Sequence, residues 1–133
     1  MPWAFVYGVC PVHISYPHVM PTRQMADGSI GQVGGMSVGL GRIQIGRQWQ
    51  GNTGLLAHEL THARQEYRRP FTHRKRYAAD PLYRLHSEAE AYRAQWACYT
   101  DFVQERLDAY AYFLANAYEL GITVEQAKRE IST

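Results

Sequence analysis

The sequence predicts an α+β domain that is mainly helical, with a small sheet beside one of its helices. Three observations carry that reading. Residues 53–68 and about 82–131 hold helix-forming sequence rich in alanine, glutamate, glutamine and leucine. One segment, residues 41–49, alternates in the manner of a strand. Four prolines within residues 1–30 and nine glycines within residues 28–54 confine the extended and irregular chain to the N-terminal part. With 133 residues, 46% hydrophobic and 20% charged, the chain suits a single domain, residues 1–133, that can bury a core.

Taken in order, Trp3–Val9 is expected as a short strand, and the rest of residues 1–30 as irregular chain broken by Pro11, Pro17 and Pro21. In residues 41–49, Ile43 and Ile45 fall on one face, which predicts a strand flanked by glycine-rich loops. Asn52 or Thr53 then caps a helix over 53–68, with Leu55, Leu56 and Leu60 as its apolar positions and Pro70 as its stop. Residues 70–81 read as a basic loop closed by Asp80-Pro81. The helical pattern from Leu82 to Leu120 is too long for one helix, so a break is expected between Thr100 and Asp108, with Gly121 as the closing cap. Thr123-Val-Glu-Gln126 has the form of a capping box opening a last helix to Ile131.

The formal net charge is +2, so the total alone implies no partner. Residues 42–93 nevertheless hold ten of the fourteen basic residues, and the tail is acidic. The run Arg68, Arg69, Arg74, Lys75 and Arg76 reads as a solvated loop; no aromatic-interleaved motif accompanies it, and nucleic acid is not expected as a partner. Cys10 and Cys98 form no CxxC pattern, which excludes a metal knuckle and leaves open a disulfide or two free thiols. No signal peptide and no stretch of about 20 apolar residues is seen, so no membrane partner and a cytoplasmic location are expected.

The chemistry lies in His58-Glu59-Leu60-Thr61-His62. On a helix, residues four apart stand about 40° apart around the axis and roughly 6 Å along it, so both imidazoles converge on one ion. Glu59 is turned away by one residue and falls beside that ion, where it serves as general base. Zinc in such a site takes a third protein ligand and leaves a fourth position open. Glu88, Glu90, Asp80, His73 and His86 are the candidates downstream. Glu88 and Glu90 lie about 200° apart on a helix, so only one of them faces the metal. Glu90 shares a face with Arg93, an ionic role on the solvent side that leaves Glu88 to turn inward. For a donor to the attacked carbonyl, Tyr83, His86, Tyr92 and Arg93 lie close in sequence. Tyr110, Tyr112, Phe113 and Tyr118 read as packing residues of the last long helix.

HExxH on one helix, followed by Glu88-Ala-Glu-Ala91-Tyr92 on a second, resembles the gluzincin metallopeptidases, in their compact, minigluzincin-like form. The resemblance covers roughly residues 54–95 and departs from many relatives at Tyr92, where they carry aspartate. It implies Glu88 as third ligand, zinc as cofactor, a peptide or protein as substrate, and a strand upstream that lines the cleft, for which 41–49 is the candidate. The metzincin pattern fails, because Gln65 stands in place of its glycine and Arg68 in place of its last histidine. The aspzincin pattern fails for want of Gly-Thr before Asp80. Two other readings stay open: a binding module of similar fold whose basic face takes nucleic acid or a protein, and a metal-dependent hydrolase of non-peptide bonds. An intact Glu59 counts against the first, since a structural metal needs no base.

Overall fold

The computed structural model describes residues 3–6, 10–39 and 41–133, with backbone alone for 3–6 and 10. It is an α+β structure dominated by helices. Six strands come first: β1 (Trp3–Val6), β2 (Cys10–Ser15), β3 (Thr22–Gln24), β4 (Ile30–Gln32), β5 (Gly35–Gly39) and β6 (Arg42–Ile45). Five helices follow: α1 (Thr53–Arg68), α2 (His73–Ala79), α3 (Pro81–Trp96), α4 (Val103–Ala117) and α5 (Val124–Ser132).

The main sheet runs β1-β2-β6-β5 and is mixed, with β2 and β6 parallel and the outer pairs antiparallel. A parallel pair needs a long crossover. Here the crossover from β2 to β6 carries the β3–β4 hairpin and then β5, which becomes an edge strand against α1. Pro11 lies inside β2 although it lacks an N–H; pairing with β6 begins only at His13, so no donor towards β6 is needed there. Tyr67 of α1 donates to the Pro11 carbonyl, tying sheet to helix.

Two cores result. Val12, Ile14, Ile43 and Ile45 of the sheet pack on Ala63 of α1, with Leu56, Leu60 and Tyr67 against them. The spacing Leu56, Leu60, Ala63, Tyr67 is one helical stripe, which is why that face of α1 meets the sheet. The second core joins α3, α4 and α5 through Leu85, Ala89, Leu107, Leu114, Ala127 and Ile131. Each large side chain fully buried here, such as Ile43, Ile45, Leu114 or Ile131, is worth about 1.5–3 kcal/mol of transfer free energy.

The short strand expected at 3–9 is present over 3–6, and residues 7–9 lie outside the described residues. Several other expectations are corrected. The strand expected at 41–49 is four residues long and lies inside the sheet, followed by a 3₁₀ turn at Arg47–Trp49. The cleft-lining edge is β5, in a stretch that reads as loop because glycine disfavours strands. The 70–81 loop contains α2, and its closing Asp80 caps α3 by accepting from Leu82 and Tyr83. The break in the long helix lies at 97–102, where Phe102 takes a left-handed conformation (φ 49°), and α4 stops at Ala117, ahead of Gly121. The helix caps at Asn52 and Thr123 form as expected, the latter as a complete capping box. Cys98 is a free, exposed thiol. Among the described residues no helix is long and apolar enough to cross a membrane.

Candidate metal centre

α1 turns two faces inward. The apolar stripe meets the sheet, while His58, His62 and Gln65 face α3. From α3, Glu88 points back at them and is 2% exposed. His62 Nε2 stands 3.2 Å from His58 Nε2 and 3.2 Å from Glu88 Oε1, and His58 Nε2 stands 3.3 Å from the same oxygen. Three donor atoms thus form a nearly equilateral triangle. Ligand atoms about 2.0–2.1 Å from a tetrahedral zinc ion are about 3.3–3.4 Å apart, so the triangle has the size of one face of such a site.

The ring tautomers agree. Gln65 Nε2 donates to the Ser87 carbonyl at 2.9 Å and to Glu90 Oε1 at 2.8 Å. Its amide orientation is fixed by those two acceptors, so Gln65 Oε1, 3.0 Å from His62 Nδ1, must accept from it. His62 then carries its proton on Nδ1 and offers a lone pair at Nε2. Gln95 Oε1 stands 3.0 Å from His58 Nδ1 and suits the same tautomer there. Two lone pairs and a carboxylate oxygen facing one another repel unless a positive charge lies among them. Burial is the largest single influence on His62 and opposes its charge, yet Glu88, Glu59 and Gln65 together overcome it and push its pKa up to about 10. The positive charge this corner demands comes from a proton or from a cation held by the three atoms, and the two compete.

Glu88 is itself raised by burial, and the two histidines more than reverse that, holding its carboxyl well below the usual range. Its second oxygen accepts from the Tyr77 hydroxyl. Glu59 lies beside the triangle, with Oε2 3.9 Å from His58 Nε2. At 4% exposure its pKa is raised, chiefly by burial, against the pull of His58 and His62. Gly35 of β5 lets the edge strand approach this carboxylate: a Cβ at Gly35 would sit 3.1 Å from Glu59 Cγ. The centre opens on a cleft of about 690 Å³ between β5, the β3–β4 hairpin, α2 and α4.

The structure brings together His58, His62, Glu88 and Glu59, and puts the other candidates elsewhere. Glu90 bonds to Gln65 and lies 3.8 Å from Arg68, so its ionic partner is not Arg93. Arg93 donates to the Glu130 and Ile131 carbonyls near the end of α5. Asp80 caps α3, and His86 is exposed outside the cleft. His73 lines the cleft but is bonded through Nδ1 to Tyr83 at 2.8 Å, and burial and nearby His62 lower its pKa. Tyr92 packs its ring on His58, with centroids 4.4 Å apart, and shares a 2.8 Å hydrogen bond with Tyr118. Tyr83, Tyr92 and Arg93 are thus each engaged with other partners, and His86 lies outside the cleft. Tyr118, read from sequence as packing, lines the cleft.

Sequence reasoning missed Gln65, Gln95, Tyr77 and Arg23. Gln65 is i+3 from His62, and Gln95 is two turns beyond Glu88, so helical phase could have found both. Tyr77 and Arg23 arrive from α2 and β3, and no local spacing connects them to the motif. Compared with known proteins, the chain matches no family model, no curated protein and no solved structure.

Proposed function

We propose that this protein is a zinc-dependent peptidase of gluzincin type. The observation that supports it best is the triangle of His58 Nε2, His62 Nε2 and Glu88 Oε1, with the buried Glu59 carboxylate beside it. Zinc held there would act as a Lewis acid in a site that keeps one position open. His58, His62 and Glu88 would bind it, and Gln95, Gln65 and Tyr77 would orient those three groups. Glu59 would take a proton from the attacking water and return it to the departing amine. Its raised pKa suits both transfers, since a base nearer neutrality also makes a better acid. The outer edge of β5, which has no further strand partner among the described residues, offers backbone groups with which an extended peptide would pair across the cleft. Tyr77, raised by burial and by Glu88, stays protonated and keeps its role as donor.

Two measurements test this. Protein reconstituted with zinc and dialysed should retain about one zinc per chain by elemental analysis, and Glu88→Ala should lose most of it while Glu90→Ala keeps it. The zinc protein should cleave an unfolded protein such as casein, and Glu59→Gln should retain metal and fold but abolish cleavage. No zinc after reconstitution, or full turnover by Glu59→Gln, would refute the proposal.

A further inference from the structure

The cleft holds a cation that the hydrolytic machinery does not use. Arg23, on β3, lines the same cavity as His58, Glu59 and Glu88. It is half-buried, and its guanidinium carbon lies 5.0 Å from the centre of the Tyr118 ring. Among the described residues no carboxylate stands within ion-pair distance of it. The Tyr118 ring beneath it shares a 2.8 Å hydrogen bond with Tyr92, whose ring packs on His58 with centroids 4.4 Å apart, so Arg23 lies at the metal end of the cleft. The other arginine of the cleft, Arg74, is placed differently: it shares the space beside Gly39 with Glu66.

Holding the hairpin in place does not require Arg23. Ala26 N–H donates to the Asn116 carbonyl at 2.8 Å, Tyr112 donates to Asp27, and Val33 N–H donates to the Pro21 carbonyl at 2.8 Å. Met25 is buried where β3 enters the turn of the hairpin. The hairpin is thus docked on α4 by neighbours of Arg23. A guanidinium offers five donors in a fixed fork that matches a carboxylate, and among the described residues its close contact is an aromatic ring rather than a carboxylate.

Resting on the peptidase reading, we propose that Arg23 binds a carboxylate of the substrate next to the scissile bond and so selects peptides that carry one there. Two sources share that chemistry: the α-carboxylate at the end of a peptide, and the side chain of aspartate or glutamate.

Calorimetric binding to the zinc-loaded Glu59→Gln protein separates these cases without turnover. The probes are acetyl-Ala-Ala-Ala as free acid and as amide, and acetyl-Ala-Glu-Ala amide against its glutamine twin. One acid should bind at least about tenfold more tightly than its neutral partner, a preference that identifies the source. Adding Arg23→Gln should erase that preference, and Arg23→Lys should keep part of it, with circular dichroism unchanged in both. Equal binding of acids and neutral twins overturns the inference. So does a preference that survives Arg23→Gln, which would put the carboxylate on the metal or on Arg74. In the active enzyme, Arg23→Gln should raise KM for the acid substrate; a fall in kcat alone, equal for acid and amide, would overturn it too. Should none of the four peptides bind to protein that holds zinc, the peptidase reading itself fails and this inference with it.

Discussion

Gln65 sets the orientation of a ligand without touching the metal position, so its removal separates orientation from coordination. Gln65→Leu deletes the acceptor for His62 Nδ1, 3.0 Å away, and lets that ring rotate or exchange its tautomer. Losing such a support typically weakens metal binding 10- to 100-fold, about 1.4–2.7 kcal/mol. The fold should suffer less. Two further bonds are lost, to the Ser87 carbonyl and to Glu90. Ser87 lies within α3, where its carbonyl keeps a helical partner, and Glu90 is only half-buried and is reached by water. A stability loss of about 1–3 kcal/mol is expected for the metal-free protein. Zinc affinity by competition with a chromophoric chelator, and thermal unfolding without metal, give the two numbers. Unchanged affinity would refute the support role, and a loss as deep as that of His62→Ala would mean that Gln65 does more than orient.

Three other outcomes are expected. Gly35→Val places a Cβ 3.1 Å from Glu59 Cγ and 3.4 Å from the Gln44 carbonyl, so turnover should fall by on the order of 10- to 100-fold while zinc is retained; normal kcat would show that β5 can yield. Asp27 has its pKa lowered to about 2 by hydrogen bonds from Ser29 and Tyr112, so its contribution to stability is complete above its ordinary value of 3.8 and is lost as pH falls through 2. The difference in Tm between wild type and Asp27→Asn should therefore be constant above about pH 5 and shrink towards pH 2, and a difference that grows on acidification would contradict the assignment. Arg74, Lys75 and Arg76 lie exposed on α2, so duplex DNA should bind no more tightly than about 1–100 µM at physiological salt. Nanomolar binding lost on neutralising all three residues would restore the nucleic-acid reading.

What the sequence discloses follows from the range of the forces involved. Helices α1, α3 and α5 are visible because their caps and stripes are local: Asn52 bonds three residues on, and Thr123 and Gln126 bond each other. Strands depend on partners far along the chain, so β2 with its proline and β5 with its glycines read as irregular. At Gly35 the local preference is overridden by the approach of the strand to Glu59, a requirement that only the assembled cleft reveals. Helix α2 is short and basic and lacks an apolar stripe, which hides both it and Tyr77. The triangle of candidate ligands is legible because two of its corners are four residues apart on one helix, helical phase admits only one of Glu88 and Glu90, and the gluzincin resemblance points to Glu88.

The position of the centre has a physical basis in the two cores. α1 contributes Leu56, Leu60 and Ala63 to the sheet core, and α3 contributes Leu85 and Ala89 to the helical core. Where α1 meets α3 the buried groups include four polar ones, His58, Gln65, Ser87 and Glu88. Burying charges in such a seam is unfavourable unless each is paired. Hydrogen bonds from Gln65 and Tyr77 pair some of them, but the three atoms of the triangle still face one another. A divalent cation among them would turn mutual repulsion into attraction and join the two helices. The association of α1 with α3 and the affinity for metal are then one free energy seen from two sides, and substitutions in either helix that loosen the seam should weaken metal binding even when no ligand is touched.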